Sequence, residues 1–156
     1  VLIPPRPPRR GLPLATRASF HDAVHNGTQA FYTPQERLAW SPSPEPTEGW
    51  RDRLADQITY VAEEENRFLG FATLNHSGHF DLLYTASFAT RRGIATALYK
   101  PCMTDPDIAD QTHFDTAASH MSRMIFAKQG WVVERKQTVE RHGQHLTNFV
   151  MSYTRA

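Results

Sequence analysis

Three short apolar segments follow one another in the middle of the chain, and this succession limits the fold more than any other feature. Residues 58–62, 68–74 and 80–86 each have the length and apolar content of a strand. The residues between them have the composition of turns and include Asn66 and Gly78. Two hairpins in a row predict an antiparallel meander of three strands.

Helical segments are predicted on both sides of this meander. Thr33-Pro34-Gln35-Glu36 is a capping box with proline at the first helical position, and Gly130 closes a later helix. Pro101 and Pro106 are expected to end another helix early, so that residues 101–112 are irregular. The predicted helices cover residues 14–27, 34–40, 50–55, 93–100 and 121–128.

Further strands are expected at residues 113–118, 131–139 and 146–154, and residues 1–5 are a candidate edge strand. The predicted fold class is therefore α/β (α+β), with a mixed, mostly antiparallel central sheet and helices on both faces. No repeat and no linker-like composition interrupts the sequence, so residues 1–156 are expected to form a single domain.

Composition and charge narrow the classes of partner. Lys and Arg number 17 and Asp and Glu 16, which gives a formal net charge of +1. Such a balance argues against a dedicated nucleic-acid binder, although Arg6, Arg9 and Arg10 keep nucleic-acid association open as an alternative. No apolar run approaches the roughly 20 residues of a membrane helix, and no secretory signal is visible, so no membrane and a cytoplasmic location are expected. Cys102 is the single cysteine, and no His and acidic residues have metal-ligand spacing, so no disulfide and no metal are expected.

The segment of residues 80–98 carries the clearest chemical signal, because a predicted strand runs through a turn into a helix that begins near Gly93. Backbone N–H groups at a helix start lack intrahelical partners, and the helix dipole adds partial positive charge there. Gly93 and Ala95 let an anion approach the backbone, and Arg91 and Arg92 add charge. These features predict a pyrophosphate site, with an ordinary turn and solvated arginines as the alternative. The segment is not a Walker loop, because no GK[ST] follows, and it is not a Rossmann fingerprint, because only Gly93 of the three glycines is present.

Gly70-Phe71-Ala72, residues 80–98 and residues 116–131 form an ordered set of motifs. The set resembles the GNAT superfamily of acyl-CoA-dependent N-acyltransferases, in particular a small single-domain bacterial branch. Residues 80–98 are similar to that family's fourth strand and pyrophosphate loop, [QR]-x-x-G-x-[GA], in which Gly93 and Ala95 match and Thr90 departs. Residues 116–131 are similar to the fifth strand, the following helix and the "GF" ending, with Trp131 in place of Phe.

The resemblance implies that the fourth and fifth strands splay apart and that the pantetheine arm of acetyl-CoA pairs with the backbone in the gap. The backbone of Leu83 would contact the acetyl carbonyl, where a preorganised N–H stabilises a developing oxyanion. Ser119 would lie beside the pantetheine. The residues expected to contact the cofactor are Leu83, Tyr84, Thr85, Arg91, Arg92, Gly93, Ile94, Ala95, Thr96, Ser119 and Phe126.

His79 and Asp81 are candidate general bases, because transfer to an amine requires the amine to be neutral. In a regular strand His79, Asp81 and Leu83 share one face, and the resemblance places His79 where some family members have a glutamate base. An imidazole suits this task near neutral pH, whereas Asp81 would need a raised pKa. A turn histidine and a structural aspartate are the alternatives. Phe126 stands where the family often has a tyrosine acid, so the thiolate would leave unassisted or take a proton from water.

The resemblance also implies an acceptor pocket built by the first helices and the last hairpin. Aromatic side chains there can hold an ammonium or an apolar amine, although core packing is the alternative. The candidate walls are His25, Phe31, Tyr32, Trp40 and Trp50.

These expectations describe an N-acetyltransferase that moves an acetyl group from acetyl-CoA directly to a primary amine in a ternary complex. The acceptor is then a small-molecule amine or a protein amine. The alternative is a degenerate acyl-CoA-binding sensor without turnover, which Thr90, Pro101 and Phe126 favour. A homodimer is consistent with edge strands that need covering.

Overall fold

The computed structural model describes residues 2–3 and 12–156. Over these residues one sheet has seven strands, which are β1 (Leu2–Ile3), β2 (Gln57–Glu64), β3 (Arg67–Asn75), β4 (His79–Thr85), β5 (His113–Ala118), β6 (Val132–Arg141) and β7 (Gln144–Thr154). Their spatial order is β1-β2-β3-β4-β5-β7-β6. Neighbouring strands are antiparallel except β4 and β5, which are parallel. The α-helices are α1 (Leu12–Gly27), α2 (Pro34–Trp40), α3 (Glu48–Ala55), α4 (Ile94–Met103) and α5 (Ser122–Lys128).

The predicted fold class is confirmed. The meander of β2, β3 and β4 is present, and α2 begins with the predicted capping box, in which the Thr33 hydroxyl accepts the N–H of Glu36 and the Glu36 carboxylate accepts the N–H of Thr33. Gly130 has φ +93°, the left-handed conformation expected after a helix end. β1 pairs with β2 as an edge strand, whereas the arm with Arg6, Arg9 and Arg10 lies outside the described residues.

The expected early end of the fourth helix is wrong, because α4 continues through Pro101 to Met103. Proline removes one helical donor, but the side chains that follow it are buried, with Cys102 0% and Met103 5% exposed. The N–H of Thr104 still donates to the carbonyl of Lys100. Burial of apolar surface therefore holds the last turn despite the lost hydrogen bond, and Cys102 lies in a helix rather than in an irregular stretch.

Two apolar clusters occupy opposite faces of the sheet. One cluster includes Leu98 of α4 and Phe126 of α5, and the other includes Phe20 of α1 and Trp50 of α3. Helices therefore cover both faces, as the sequence predicts.

β4 and β5 pair over a short distance and then separate. In the described chain their only paired residues are His79 with Asp115 and Phe80 with Thr116. Beyond these pairs β4 follows β3 as far as Thr85, and β5 follows β7 as far as Ala118. The predicted splay is thus confirmed, and it leaves a gap in the middle of the sheet.

A β-bulge at Asp81 marks the start of the gap. Leu74 pairs with Phe80 and Thr73 pairs with Leu82, so Asp81 is the extra residue on β4. Phe80 belongs to the cluster under α4, whereas Leu82 belongs to the cluster under α1 and α3. In an uninterrupted strand these two side chains would share a face, so the bulge reverses the alternation of β4.

The edge strand β6 is exposed along most of its length, including Val132 and Val133. The homodimer that would cover such an edge stays a prediction. Within the described residues no helix has the length and apolar character needed to cross a membrane.

Candidate active site

A cavity of about 280 Å³ opens where β4 and β5 separate. β4 forms one wall from His79 to Tyr84, and the end of β5 with the start of α5 forms the opposite wall. Side chains from α2, from α3 and from the β6–β7 hairpin complete the lining. The cavity is therefore built from the two strands and the surrounding elements that the sequence predicts to form a cofactor and acceptor site.

One hydrogen bond shows which backbone groups of β4 face the gap. The N–H of Ala86 donates to the carbonyl of Leu69 on β3, with an N···O distance of 2.8 Å. Because backbone groups of successive residues point to opposite edges of a strand, we infer that the N–H groups of Leu83 and Thr85 point away from β3 into the gap. That acetyl and pantetheine groups bind there stays a prediction.

The side chain of Leu83 does not share a face with His79 and Asp81, and this expectation is wrong. Leu83 packs against the cluster under α4, whereas Asp81 contacts Arg53 of α3. The bulge at Asp81 is the cause, since it shifts the alternation of β4 by one residue. Any role of Leu83 in chemistry therefore rests on its backbone.

The start of α4 lies beyond Thr85, at the far end of the same strand. Gly93 precedes the helix with φ +76° and accepts the N–H of Ala97 through its carbonyl. Because glycine has no capping side chain, the N–H groups of Ile94, Ala95 and Thr96 receive no cap from it. A Cβ added at Gly93 meets nothing within 4 Å, so this turn is open to solvent.

Two contacts hold the turn before α4 in place. The carboxylate of Asp22 on α1 accepts the N–H of Ser87 at 2.7 Å and the Ser87 hydroxyl at 2.8 Å. Arg92 forms an ion pair with Glu64, and Arg91 is exposed with φ 65°. An uncapped helix start beside two arginines fits a diphosphate, and it lies in line with the gap.

His79 lines the cavity and contacts an aspartate that sequence reasoning missed. Its Nδ1 lies 2.5 Å from Oδ1 of Asp115, its partner in the parallel pairing of β4 and β5. An ionised carboxylate can only accept, so we assign the Nδ1 hydrogen to this bond, which leaves Nε2 free to act as a base. Nε2 lies 3.9 Å from Oδ1 of Asp81.

Asp81 is held by the side chains of Arg53 and Gln57 and does not have the raised pKa that a base at this position requires. Arg53 donates to both carboxylate oxygens at 2.6 and 2.8 Å, and the Gln57 amide donates at 2.7 Å. Burial raises the pKa of Asp81, but the hydrogen bonds and the charge of Arg53 outweigh burial and leave the pKa below its ordinary value. Asp81 is thus an ionised, occupied carboxylate beside the histidine.

Only some of the predicted acceptor walls reach the cavity. Tyr32 and Trp40 line it, and the Tyr32 hydroxyl donates to the carbonyl of Thr147 at 2.8 Å and accepts the N–H of His120 at 3.1 Å. These bonds fix Tyr32 between the ends of β5 and β7, so its ring is a rigid wall.

Trp50, His25 and Phe31 are not among the residues that line this cavity, and their role as acceptor walls stays a prediction. Trp50 is 3% exposed and its indole donates to the hydroxyl of Thr16 in the core. His25 contacts the carbonyl of Ser41 at 2.7 Å, and Phe31 stacks on His120 at the surface. Aromatic residues serve core packing and substrate contact alike, so sequence alone does not separate the two roles.

Ser119 and Phe126 line the cavity, and their contacts with the cofactor stay a prediction. Ser122 and Arg53 line it too and were missed. Ser122 lies three residues after Ser119, a spacing that signals a reciprocal cap. The pairing of Arg53 with Asp81 spans 28 residues and has no local signal.

Comparisons with known proteins agree with this geometry. A family profile described as "Acetyltransferase (GNAT) domain" matches residues 29–153. The uncharacterized N-acetyltransferase YafP of Escherichia coli K12 is 31% identical over 137 residues, which is 87% of this chain and 85% of that protein.

Solved structures show the same fold. A GCN5-related N-acetyltransferase from Rhodopseudomonas palustris, whose name also carries "Aminotransferase, Class-II", superimposes with a TM-score of 0.86 at 25% identity, over 99% of this chain and 98% of its own. The PaiA N-acetyltransferase of Thermoplasma acidophilum, solved with coenzyme A, has a TM-score of 0.65 at 14% identity over 94% and 97% of the two chains. The profile match and the Escherichia coli relative establish that the chain belongs to the GNAT family of acetyltransferases.

Proposed function

We propose that the protein transfers an acetyl group from acetyl-CoA directly to a primary amine in a ternary complex. The observation that carries this proposal is the alignment of three features along β4: the uncapped start of α4, the unpaired edge beyond Phe80, and the cavity with His79. The coenzyme A bound to the Thermoplasma relative supports the choice of cosubstrate. Acetyl-CoA would supply an activated thioester.

The start of α4 would hold the diphosphate of the cosubstrate. The N–H groups of Ile94, Ala95 and Thr96 and the side chains of Arg91 and Arg92 provide donors and positive charge at one place. The backbone N–H of Thr85 would pair with the pantetheine, and that of Leu83 would point at the acetyl oxygen. A preorganised N–H at a developing oxyanion contributes about 3 kcal/mol.

His79 would accept the proton of the attacking amine through Nε2. Asp115 supports this role, because its bond to Nδ1 fixes both the tautomer and the ring orientation. Asp81 does not compete for the proton, since Arg53 and Gln57 occupy its oxygens. A direct transfer is also favoured over a covalent one, because Cys102 is fully buried in the core and is not among the residues that line the cavity.

The acceptor would enter between α2 and the β6–β7 hairpin, with Tyr32 and Trp40 as walls and Arg141 among the lining residues. The aromatic faces suit an amine that still carries its proton on binding. The acceptor class is a small-molecule or protein amine. The remaining sequence predictions, a cytoplasmic location and a homodimer, accompany this proposal.

Thermal stabilisation by coenzyme A tests whether the protein binds this cosubstrate at all. Coenzyme A at 100 times its Kd should stabilise the protein by about 2.7 kcal/mol, which raises Tm by roughly 5–10 °C. Differential scanning fluorimetry with coenzyme A and with adenosine as a control measures this shift. No shift at millimolar coenzyme A would contradict the proposal.

Turnover then separates the enzyme from a sensor. Release of free thiol from acetyl-CoA should depend on an added primary amine, and the acetylated amine should be detected by mass spectrometry. A panel of amino acids, polyamines, aminoglycosides and lysine peptides covers the acceptor class. Binding of coenzyme A without turnover on any member would favour the sensor.

Replacing Asp115 tests the orientation of His79. Asp115→Ala removes the acceptor of the Nδ1 hydrogen, so the imidazole should populate the other tautomer and kcat should fall about tenfold. Nitrogen NMR shifts of the His79 ring measure the tautomer directly, which a merely structural role would not change. Asp115→Asn keeps an acceptor oxygen and should lose less, and Asp110→Ala, at an exposed position, serves as the control. An unchanged tautomer in Asp115→Ala would rule out this role.

A further inference from the structure

Two serine hydroxyls lie on the wall of the cavity opposite β4, and the acyl transfer described above gives neither of them a part in bond making or breaking. Ser119 follows β5 directly and Ser122 begins α5. Both line the cavity together with Phe126, whose ring has no hydrogen to donate to a charged atom. The two serines therefore line the same cavity as Phe126, on the wall opposite β4.

One of the two hydroxyl hydrogens of Ser119 and Ser122 takes part in no hydrogen bond between these residues. The N–H of Ser119 donates to Oγ of Ser122 at 3.0 Å, and the N–H of Ser122 donates to Oγ of Ser119 at 3.1 Å. The two Oγ atoms are 3.2 Å apart, and only one hydroxyl can donate across that distance. Within the described residues the second hydroxyl hydrogen has no acceptor, so it is free to point into the cavity.

Leu83, Ser119 and Ser122 all line the cavity, and the order of residues along the two strands gives their positions along the gap. From the last parallel pair, Phe80 with Thr116, both strands run in the same direction, and β4 contains one extra residue at its bulge. Counting on from that pair and leaving out the extra residue, Leu83 is level with Ala118, the last residue of β5. Ser119 is the next residue along the gap. Leu83 on β4 and the serine pair after β5 therefore lie on opposite walls of the same cavity.

We propose that the Ser119–Ser122 pair donates a hydrogen bond to the sulfur of coenzyme A and stabilises the negative charge that forms there when the acetyl group leaves. This inference rests on the proposed function. It assigns the pair as the partner of the leaving group, in the place where Phe126 offers no donor.

The step balances without a proton leaving the serines. An acceptor bound as an ammonium first releases one proton to water. His79 Nε2 then takes the proton that the neutral amine loses as its lone pair forms the C–N bond, and the electron pair of the breaking C–S bond stays on sulfur. A thiol ionises near pH 8.5, and an aliphatic hydroxyl is a far weaker acid, so the serine hydroxyl keeps its hydrogen and only shares it. Water protonates the sulfur when coenzyme A is released.

The decisive measurement is the ionisation of bound coenzyme A, because it does not depend on turnover. The ultraviolet absorbance of the thiolate is followed against pH in complexes of the wild type, Ser119→Ala, Ser122→Ala and the double variant, with desulfo-coenzyme A complexes as blanks. We expect the thiol in the wild-type complex to ionise about one pH unit below the thiol in the double-variant complex, as a tenfold stabilised thiolate requires.

Kinetics supply the second readout. The double variant should lose roughly 10- to 100-fold in kcat, the range of a hydrogen bond to a charged group, with the Kd for coenzyme A within about threefold. Ser119→Thr keeps the hydroxyl and should retain most of the rate, and Ser77→Ala, on an exposed turn, controls for loss of a serine elsewhere. Thermal denaturation of each variant shows whether the start of α5 persists when a backbone N–H loses its acceptor.

The outcomes distinguish this inference from the proposed function. If the wild type does not bind coenzyme A, both the proposed function and the serine assignment are wrong. If coenzyme A binds and its thiol ionises at the same pH in the wild type and the double variant, the serine assignment is overturned while the transferase proposal stands.

Discussion

Gly93→Asp is expected to lower the affinity for coenzyme A about 100-fold while leaving the fold intact. Two unit charges about 5 Å apart repel by roughly 3 kcal/mol at an effective dielectric of about 20, which corresponds to this factor. The fold should tolerate the change, because a Cβ at Gly93 meets nothing within 4 Å. Aspartate also accepts a φ of +76° better than most residues. Isothermal titration with coenzyme A measures the loss.

Gly93→Asn is the matched control, because asparagine has nearly the same size and the same tolerance of this backbone conformation but no charge. It should weaken binding tenfold or less, and the difference between the two variants should shrink at high salt. Turnover of S-acetylpantetheine, which lacks the diphosphate, should be equal in wild type and Gly93→Asp. The assignment of the diphosphate to the start of α4 would be wrong if both variants lost the same affinity for coenzyme A. It would also be wrong if Gly93→Asp bound coenzyme A as tightly as the wild type.

The parts of the fold that follow local rules could be predicted from the sequence. The capping box at Thr33 and the left-handed Gly130 depend on residues within one turn, and both are present. The meander follows from apolar segments separated by turn residues. These signals are short-range, so a single sequence contains them in full.

The features that sequence reasoning missed depend on distant residues. Alternating side chains from His79 to Leu83 look like a regular strand, and nothing local marks Asp81 as a bulge. Pro101 signals a helix end, but buried neighbours from other elements keep α4 intact. Tertiary packing decides both cases, and it outweighs local preference.

The candidate site also has one part with a local sequence signal and another part that depends on residues far apart in the chain. The turn at Gly93 could be predicted because a strand, a turn and a helix start are consecutive in the chain, and its role in binding a diphosphate stays a proposal. Asp115 lies 36 residues from His79 and reaches it only through the parallel register of β4 and β5. The pair that begins the splay also brings the Asp115 carboxylate to the His79 imidazole, so one register determines both the gap and the orientation of the imidazole.

His79→Gln is expected to lower kcat about 100- to 1,000-fold, the range for loss of a positioned general base. Glutamine keeps a polar side chain of similar length that can contact Asp115 but cannot take up the proton of the amine. The Kd for coenzyme A should stay within about threefold, because the proposed contacts to the diphosphate and pantetheine lie further along β4. Steady-state kinetics with the best acceptor of the panel, together with titration of coenzyme A, separate the two quantities.

Three further variants decide which group acts as the base. His76→Gln changes an exposed histidine three residues away and should leave kcat unchanged. The double variant His79→Gln/Asp115→Ala should lose no more than His79→Gln alone, because Asp115 acts only through the histidine. If His79→Gln instead keeps kcat within threefold of the wild type and Asp81→Asn abolishes turnover, the proton passes to Asp81. The hydrogen bonds from Arg53 and Gln57 argue against that result. They stabilise the ionised form of Asp81 and keep its pKa low, so Asp81 is a weak base.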